Sequence, residues 1–124
     1  PWSRLRSQVA HLGGDPPDEQ LHEVRKRAKQ VRYAVEALEP AGVDVHRAAK
    51  GVRKVQDLLG DHQDTVEAEA WLREQAAPTD VVGTAAFVLG ALVADERTQR
   101  RTIRDRWPAT WEKASDPDRW EWLP

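Results

Sequence analysis

Apolar positions in this chain recur every three or four residues, and no segment of any length alternates in twos. Leu21, Val24, Ala28, Val31, Val35 and Leu38 follow the spacing that turns one helical face toward a neighbour. Gly13-Gly14-Asp15-Pro16-Pro17 breaks the pattern upstream, and Asp18 and Glu19 supply the acidic first turn of a helix running to about Glu39. Pro40-Ala41-Gly42 ends it, and Asp44 can cap a second helix with an apolar side of Val45, Ala48, Ala49, Val52, Val55, Leu58 and Leu59. Gly60 either terminates or kinks this second helix, with Asp61 or Asp64 placed to cap a renewed one through Ala76. After the break at Ala77-Pro78-Thr79-Asp80, Val81 to Val93 is nearly all apolar or small, which predicts a buried helix. Gly83 and Gly90 lie on one face of it and permit close approach of a neighbour. An Arg-rich continuation sets Arg97, Arg101 and Arg104 on one face, Pro108 interrupts or kinks it, and beyond Ser115 the chain is expected to fray. The reading is an all-α antiparallel bundle of about four helices over residues 18–115. Residues 1–17 read as the remnant of a preceding helix and a linker, and residues 116–124 as a C-terminal tail.

The polar side of the first long helix is more distinctive than its apolar side. His22, Arg25, Lys29 and Arg32 are spaced three and four apart, within an arc of about 80° and along about 15 Å of helix axis. Their apolar neighbours hold the helix, so the cations form a fixed row, and only Glu36 is spaced to offset them. Lys26 and Arg27 point away, toward solvent. On the second helix His46, Lys50, Arg53 and Asp57 share a face, with Arg47 and Lys54 on its flank. If the two helices pack antiparallel, as the short connection favours, the rows line two walls of one groove. A fixed row of cations suits a linear polyanion. Arg offers a planar fork to two phosphate oxygens, Lys a mobile charge, and His a further donor.

The net charge of −2 would argue against an anion binder, but the distribution overrules the sum. His22 to Tyr33 carries five Lys/Arg against one Glu, His46 to Gln56 four Lys/Arg and no acid, and Asp57 to Glu74 six acids against Arg73 alone. The chain contains no Cys, which excludes disulfides, thiolate zinc sites and thiol catalysis and fits a reducing compartment. No run reaches the roughly 18 apolar residues of a membrane span, so a cytoplasmic protein is expected. The chain opens without Met, which reads as a fragment. Asp61, His62 and Asp64 invite a metal reading, but helix capping explains the two acids more simply. Nucleophile elbows and phosphate-binding Gly loops are missing, so no catalytic residues, metal ligands or cofactor are assigned. Trp71, Trp107 and Trp111 are expected in the core, and Trp120 and Trp122 against a missing part of the protein or a partner.

His22-x-x-Arg25-x-x-x-Lys29-x-x-Arg32-Tyr33, followed by Arg53-Lys54-Val55-Gln56-Asp57-Leu58-Leu59-Gly60-x-x-x-Asp64, resembles the CHAD family, the conserved histidine α-helical domain. The likeness covers about residues 18 to 112 and looks like the C-terminal half of such a domain. It implies two similar helical halves around a basic cavity that binds inorganic polyphosphate, often on polyphosphate granules, and in some members a fused triphosphate tunnel enzyme domain. Carried over residue by residue, it implies that His22, Arg25, Lys29, Arg32, Lys50, Arg53 and Lys54 contact polyphosphate, with Gln56 nearby and Gly60 and Asp64 as structural positions. With one half present the groove would be open, and a second CHAD half or a homodimer is an expected partner. The alternative is a helical scaffold for a protein partner or for nucleic acid.

Overall fold

The computed structural model describes residues 1–124 and contains four α-helices and no strand: α1 (Trp2–Ala10), α2 (Asp18–Glu36), α3 (His46–Ala76) and α4 (Thr84–Ala114). Short 3-10 turns follow α2 at Glu39–Ala41 and α4 at Pro117–Trp120. This is the all-α bundle that the periodicity implies. Neighbouring helices run antiparallel. Asp18, at the start of α2, lies by His62, while Glu36, at its end, reaches Arg53. Gly51 of α3 packs on Ala114 of α4, and Glu69 pairs with Arg97 and Arg100.

The predicted apolar face of α2 is the observed one: Leu21, Val24, Ala28, Val31 and Val35 are buried. They meet Val45, Ala48, Val52, Val55 and Leu59, and Trp107 and Ala114 close the core from α4. At Gly42 the backbone turns left-handed (φ 82°), a conformation open to glycine at little cost, and the chain reverses toward α3. Asp44 Oδ1 then accepts from His46 N at 3.3 Å at the start of α3.

Several expectations are overturned. Gly60 neither ends nor kinks α3, which is continuous for 31 residues, so Asp61 and Asp64 are mid-helix surface residues and cap nothing. A glycine costs about 1 kcal/mol in a helix, which packing on both sides outweighs here. Pro108 lies inside α4, and the helix continues to Ala114. The segment 116–124 does not fray. Trp120 is buried, donates from Nε1 to Ala114 O at 2.8 Å and stacks on Trp2 with ring centroids 3.6 Å apart. Trp122 lies 5.8 Å from Trp120, so Trp120 finds its partner in this chain's own first helix and Trp122 packs beside it. Residues 1–17, read as the remnant of a preceding helix and a linker, do form a helix, α1, and a loop to α2, and α1 adds Leu5, fully enclosed, to the common core. Asp15 and Pro16 O of the linker are held by Arg104 at 3.1 and 2.7 Å.

The largest departure is at Val81 to Val93. Expected to be buried, this run is largely exposed: Val82, Phe87, Val88 and Leu92 all face solvent, as does Trp71 on α3. The cause is length. At 1.5 Å per residue α2 spans about 28 Å and α3 and α4 about 46 Å each, so the α3/α4 hairpin runs on past the start of α2.

Candidate functional site

Antiparallel packing of α2 on α3 sets the predicted cationic row of α2 along the seam between the two helices. His22, Arg25 and Arg32 are half-buried there and Lys29 is exposed above them. Gly60 makes room: a Cβ at that position would sit 3.9 Å from Arg25 Cδ, so the Arg25 stem lies across α3 where a larger residue would push it outward. Arg53 joins from α3 through Glu36, whose Oε1 accepts from Arg53 Nη2 at 3.0 Å and lies 3.7 Å from Arg32 Nε. Tyr33 supports the exposed side, its ring centroid 4.8 Å from Arg32 Cζ and 5.8 Å from Lys29 Nζ, within reach of cation–π attraction.

Unmet hydrogen-bonding capacity sets this seam apart from an ordinary charged surface. His22 Nδ1, Arg25 Nε, Arg32 Nε and Gln56 Oε1 are enclosed and have no hydrogen-bond partner in the protein. Leaving a buried polar atom unpaired costs about 1–3 kcal/mol, and more for a charged group, so four on one seam are an arrangement that folding alone does not favour. Gln56 was noted from the sequence only as a neighbour of the second motif, and its burial follows from a pairing of helices that periodicity does not supply.

The other cations of α3 diverge from this seam. Lys50 is exposed on the ridge of the helix. Lys54, about 100° further round than Arg53, lines a cavity of about 470 Å³ toward α4 with Arg106, Lys113 and Arg119 and the acids Asp57 and Asp61. The structure therefore gathers His22, Arg25, Lys29, Arg32 and Arg53 on one side, with Lys54 opening on the other.

Asp61, His62 and Asp64 also part company. His62 is fully enclosed, while both acids face a shallow cavity between α3 and α4. Burial and the Arg104 guanidinium push the His62 imidazole down to about 4, against an opposing pull from Asp18, whose Oδ1 is 3.5 Å from Nε2. Further along α3, burial would raise the Glu69 carboxyl, but hydrogen bonds from Arg73, Arg97 and Arg100 outweigh it and hold it at about 2. Arg100 and Arg104 also reach Asp18, at 3.7 and 2.6 Å. Glu69 of the acidic stretch read from the sequence is thus consumed in fixing α4 to α3, while Arg104 fixes the linker to α4. Arg100 and Arg104 are spent as staples, and the cations of the α2 seam have only Glu36 to answer them.

A family model of the CHAD domain matches residues 1–73, which take in α1, α2 and most of α3. Two uncharacterized proteins of Mycobacterium tuberculosis, one from the Oshkosh strain and one from a second strain, are each 35% identical over 115 residues, covering 89% of this chain and 21% of the relative. The chain spans about a fifth of the length of these curated relatives. No solved structure matches it. No helix is long and apolar enough to cross a membrane.

Proposed function

The chain belongs to the CHAD family, and from that premise we propose that it binds inorganic polyphosphate along the α2/α3 seam without catalysing a reaction on it. The observation that carries this reading is the set of unpartnered nitrogens on His22, Arg25 and Arg32 along the seam beside the exposed ammonium of Lys29. Phosphate oxygens are acceptors and bear charge, so they answer the donors and the cations together. Arg25 and Arg32 are about 10 Å apart along the axis with Lys29 between them, so a chain of several phosphates would engage all three. Arg53 would join as Glu36 gives way. Lys50 and Lys54 extend the field over α3 and would bind a longer chain that crosses the ridge. Work on polyphosphate granules in the cytoplasm, beside a second CHAD half or a triphosphate tunnel enzyme domain, fits this reading and belongs to the same proposal.

Titrating polyphosphate of short and long defined length against the chain tests it. Joint replacement of Arg25, Lys29 and Arg32 by Ala should weaken binding at least tenfold, while Lys26→Ala with Arg27→Ala, off the seam, should change it less than threefold. Equal affinity of the wild type and the seam variant would reject the assignment. A second reading, a scaffold for a protein partner, is favoured by the exposed apolar residues of α4. It predicts partner capture that excess polyphosphate does not disturb. For nucleic acid, competition between RNA and polyphosphate decides.

A further inference from the structure

A second cationic hollow lies on the other side of α3 from the seam. Arg106, Thr110 and Lys113 share a face of α4, and with Lys54 of α3 and Arg119 of the closing 3-10 turn they line the cavity of about 470 Å³. Close approach of the helices builds it. A Cβ at Gly51 would meet the Ala114 backbone at 3.0 Å and Arg119 Nη1 at 3.5 Å. The absent side chain leaves room for the Arg119 guanidinium, which is fixed by donation from Nη1 to Arg47 O at 2.8 Å. No ion pair engages Lys54, Arg106, Lys113 or Arg119, although Asp57 and Asp61 line the same cavity. The acids lie toward one end. Gly51 and Ala114 mark the level of Lys113 and Arg119, whereas Asp61 is about 15 Å along α3 and Arg106 about 12 Å along α4 from that contact.

We propose that a polyphosphate chain held at the α2/α3 seam crosses α3 and enters this cavity, where Lys54, Lys113 and Arg119 form a second anchor that only a long chain reaches. The proposal rests on the seam reading and deepens it to a preference for length. Continuity of charge carries it. On α3 the exposed Lys50 lies between exposed Arg53, about 60° to one side, and exposed Lys54, about 40° to the other. Cations therefore lead from Arg53, at the edge of the seam, over the ridge to the mouth of the cavity. The arc is about 100°, roughly 10 Å around a helix 10–12 Å across. Two anchors on one ligand make the second contact intramolecular, which raises affinity without strengthening either anchor alone. The seam holds unpartnered nitrogens and only Glu36 to oppose them, so it is the stronger anchor and short chains settle there. Lys113 and Arg119 lie outside residues 1–73, the part matched by the family model, so the second anchor belongs to this chain's α4 and closing turn.

Calorimetric titration of the 124-residue chain with tripolyphosphate and with chains of about thirty phosphates tests the proposal. Lys54→Ala with Lys113→Ala removes two exposed, unpaired side chains, so helical circular dichroism should be unchanged. This variant should bind the long chain at least tenfold more weakly and tripolyphosphate less than twofold more weakly. Lys26→Ala with Arg27→Ala removes the same charge elsewhere on the surface and should change either affinity less than threefold. The Arg25, Lys29 and Arg32 triple Ala variant should lose affinity for both ligands. In the wild type, the amide ¹H–¹⁵N signals of Thr110, Lys113 and Arg119 should shift with the long chain and stay in place with tripolyphosphate. Unchanged long-chain affinity of the cavity variant, an equal loss for both ligands, or long-chain shifts confined to α2 and α3 would overturn the second anchor and leave the seam assignment standing. A triple variant that binds tripolyphosphate as the wild type does would strike the seam itself, and the second anchor with it.

Discussion

Lowering the pH should destabilise this fold before any carboxylate titrates, because His62 is enclosed in the core beside two arginines. Its side chain is 1% exposed, and Arg104 and Arg100 face it from α4 with Asp18 from α2. Burial first, and Arg104 second, depress the imidazole from 6.5 to about 4. The unfolded chain therefore takes up this proton before the folded one does. Stability is complete above about pH 6.5, falls as the pH drops toward 4, and levels off below that value for this group. At about 1.4 kcal/mol per pH unit, a depression of some two and a half units is worth up to about 3 kcal/mol. That is a large share of the roughly 5–15 kcal/mol that holds an ordinary domain together. Urea unfolding followed by circular dichroism at half-unit steps from pH 7.5 to 4 reads the effect directly. His62→Leu, which replaces the imidazole by an apolar side chain without a proton to gain, should flatten the curve between pH 6.5 and 4. Parallel curves for the two proteins would refute the argument, since His62 would then be titrating alike folded and unfolded.

Glu69→Gln should cost about 2–4 kcal/mol in the same unfolding assay, since it strips the carboxylate that Arg100 meets at 2.6 Å in a setting where both side chains are largely enclosed. Arg73→Ala or Arg97→Ala, at partners more than half exposed, should each cost less than about 1 kcal/mol. Two glycine substitutions should act in opposite directions. Gly51→Ala sets a Cβ 3.0 Å from the Ala114 backbone and should destabilise by about 1–2 kcal/mol despite its gain in helix propensity. Gly90→Ala, with open space around it, should stabilise by about 0.5–1 kcal/mol. Glu36→Gln should tighten polyphosphate binding severalfold by isothermal titration, because it frees Arg32 and Arg53 from their shared carboxylate.

The helical class and the core of α2 and α3 are legible from the 3.6-residue period, because Leu21, Val24, Val31, Val52 and Val55 face inward for the reason that puts them three and four apart. The cationic row is legible too, since His22, Arg25, Lys29 and Arg32 share a face of a single helix. What one helix cannot reveal is the register between helices. Arg53 and Lys54 are adjacent in sequence, yet one meets Glu36 of α2 and the other opens toward Arg106 of α4. Burial of His62 and Gln56 has the same origin. Residues 81–93 fail in the opposite sense: composition demands cover, but the length of α3 and α4 relative to α2 decides whether this chain supplies it. Trp120 needed a partner over a hundred residues away, Trp2, which no local signal identifies.

Salt dependence of polyphosphate affinity tests the role of the α2/α3 seam most directly. With Arg25, Lys29, Arg32 and Arg53 each releasing a counterion, log K should fall against log salt with a slope of about −3, by analogy with single-stranded nucleic acid. Replacing Arg25 and Arg32 by Ala should flatten that slope by about 1.4 units. A slope near zero, or one that both substitutions leave unchanged, would contradict binding at these cations.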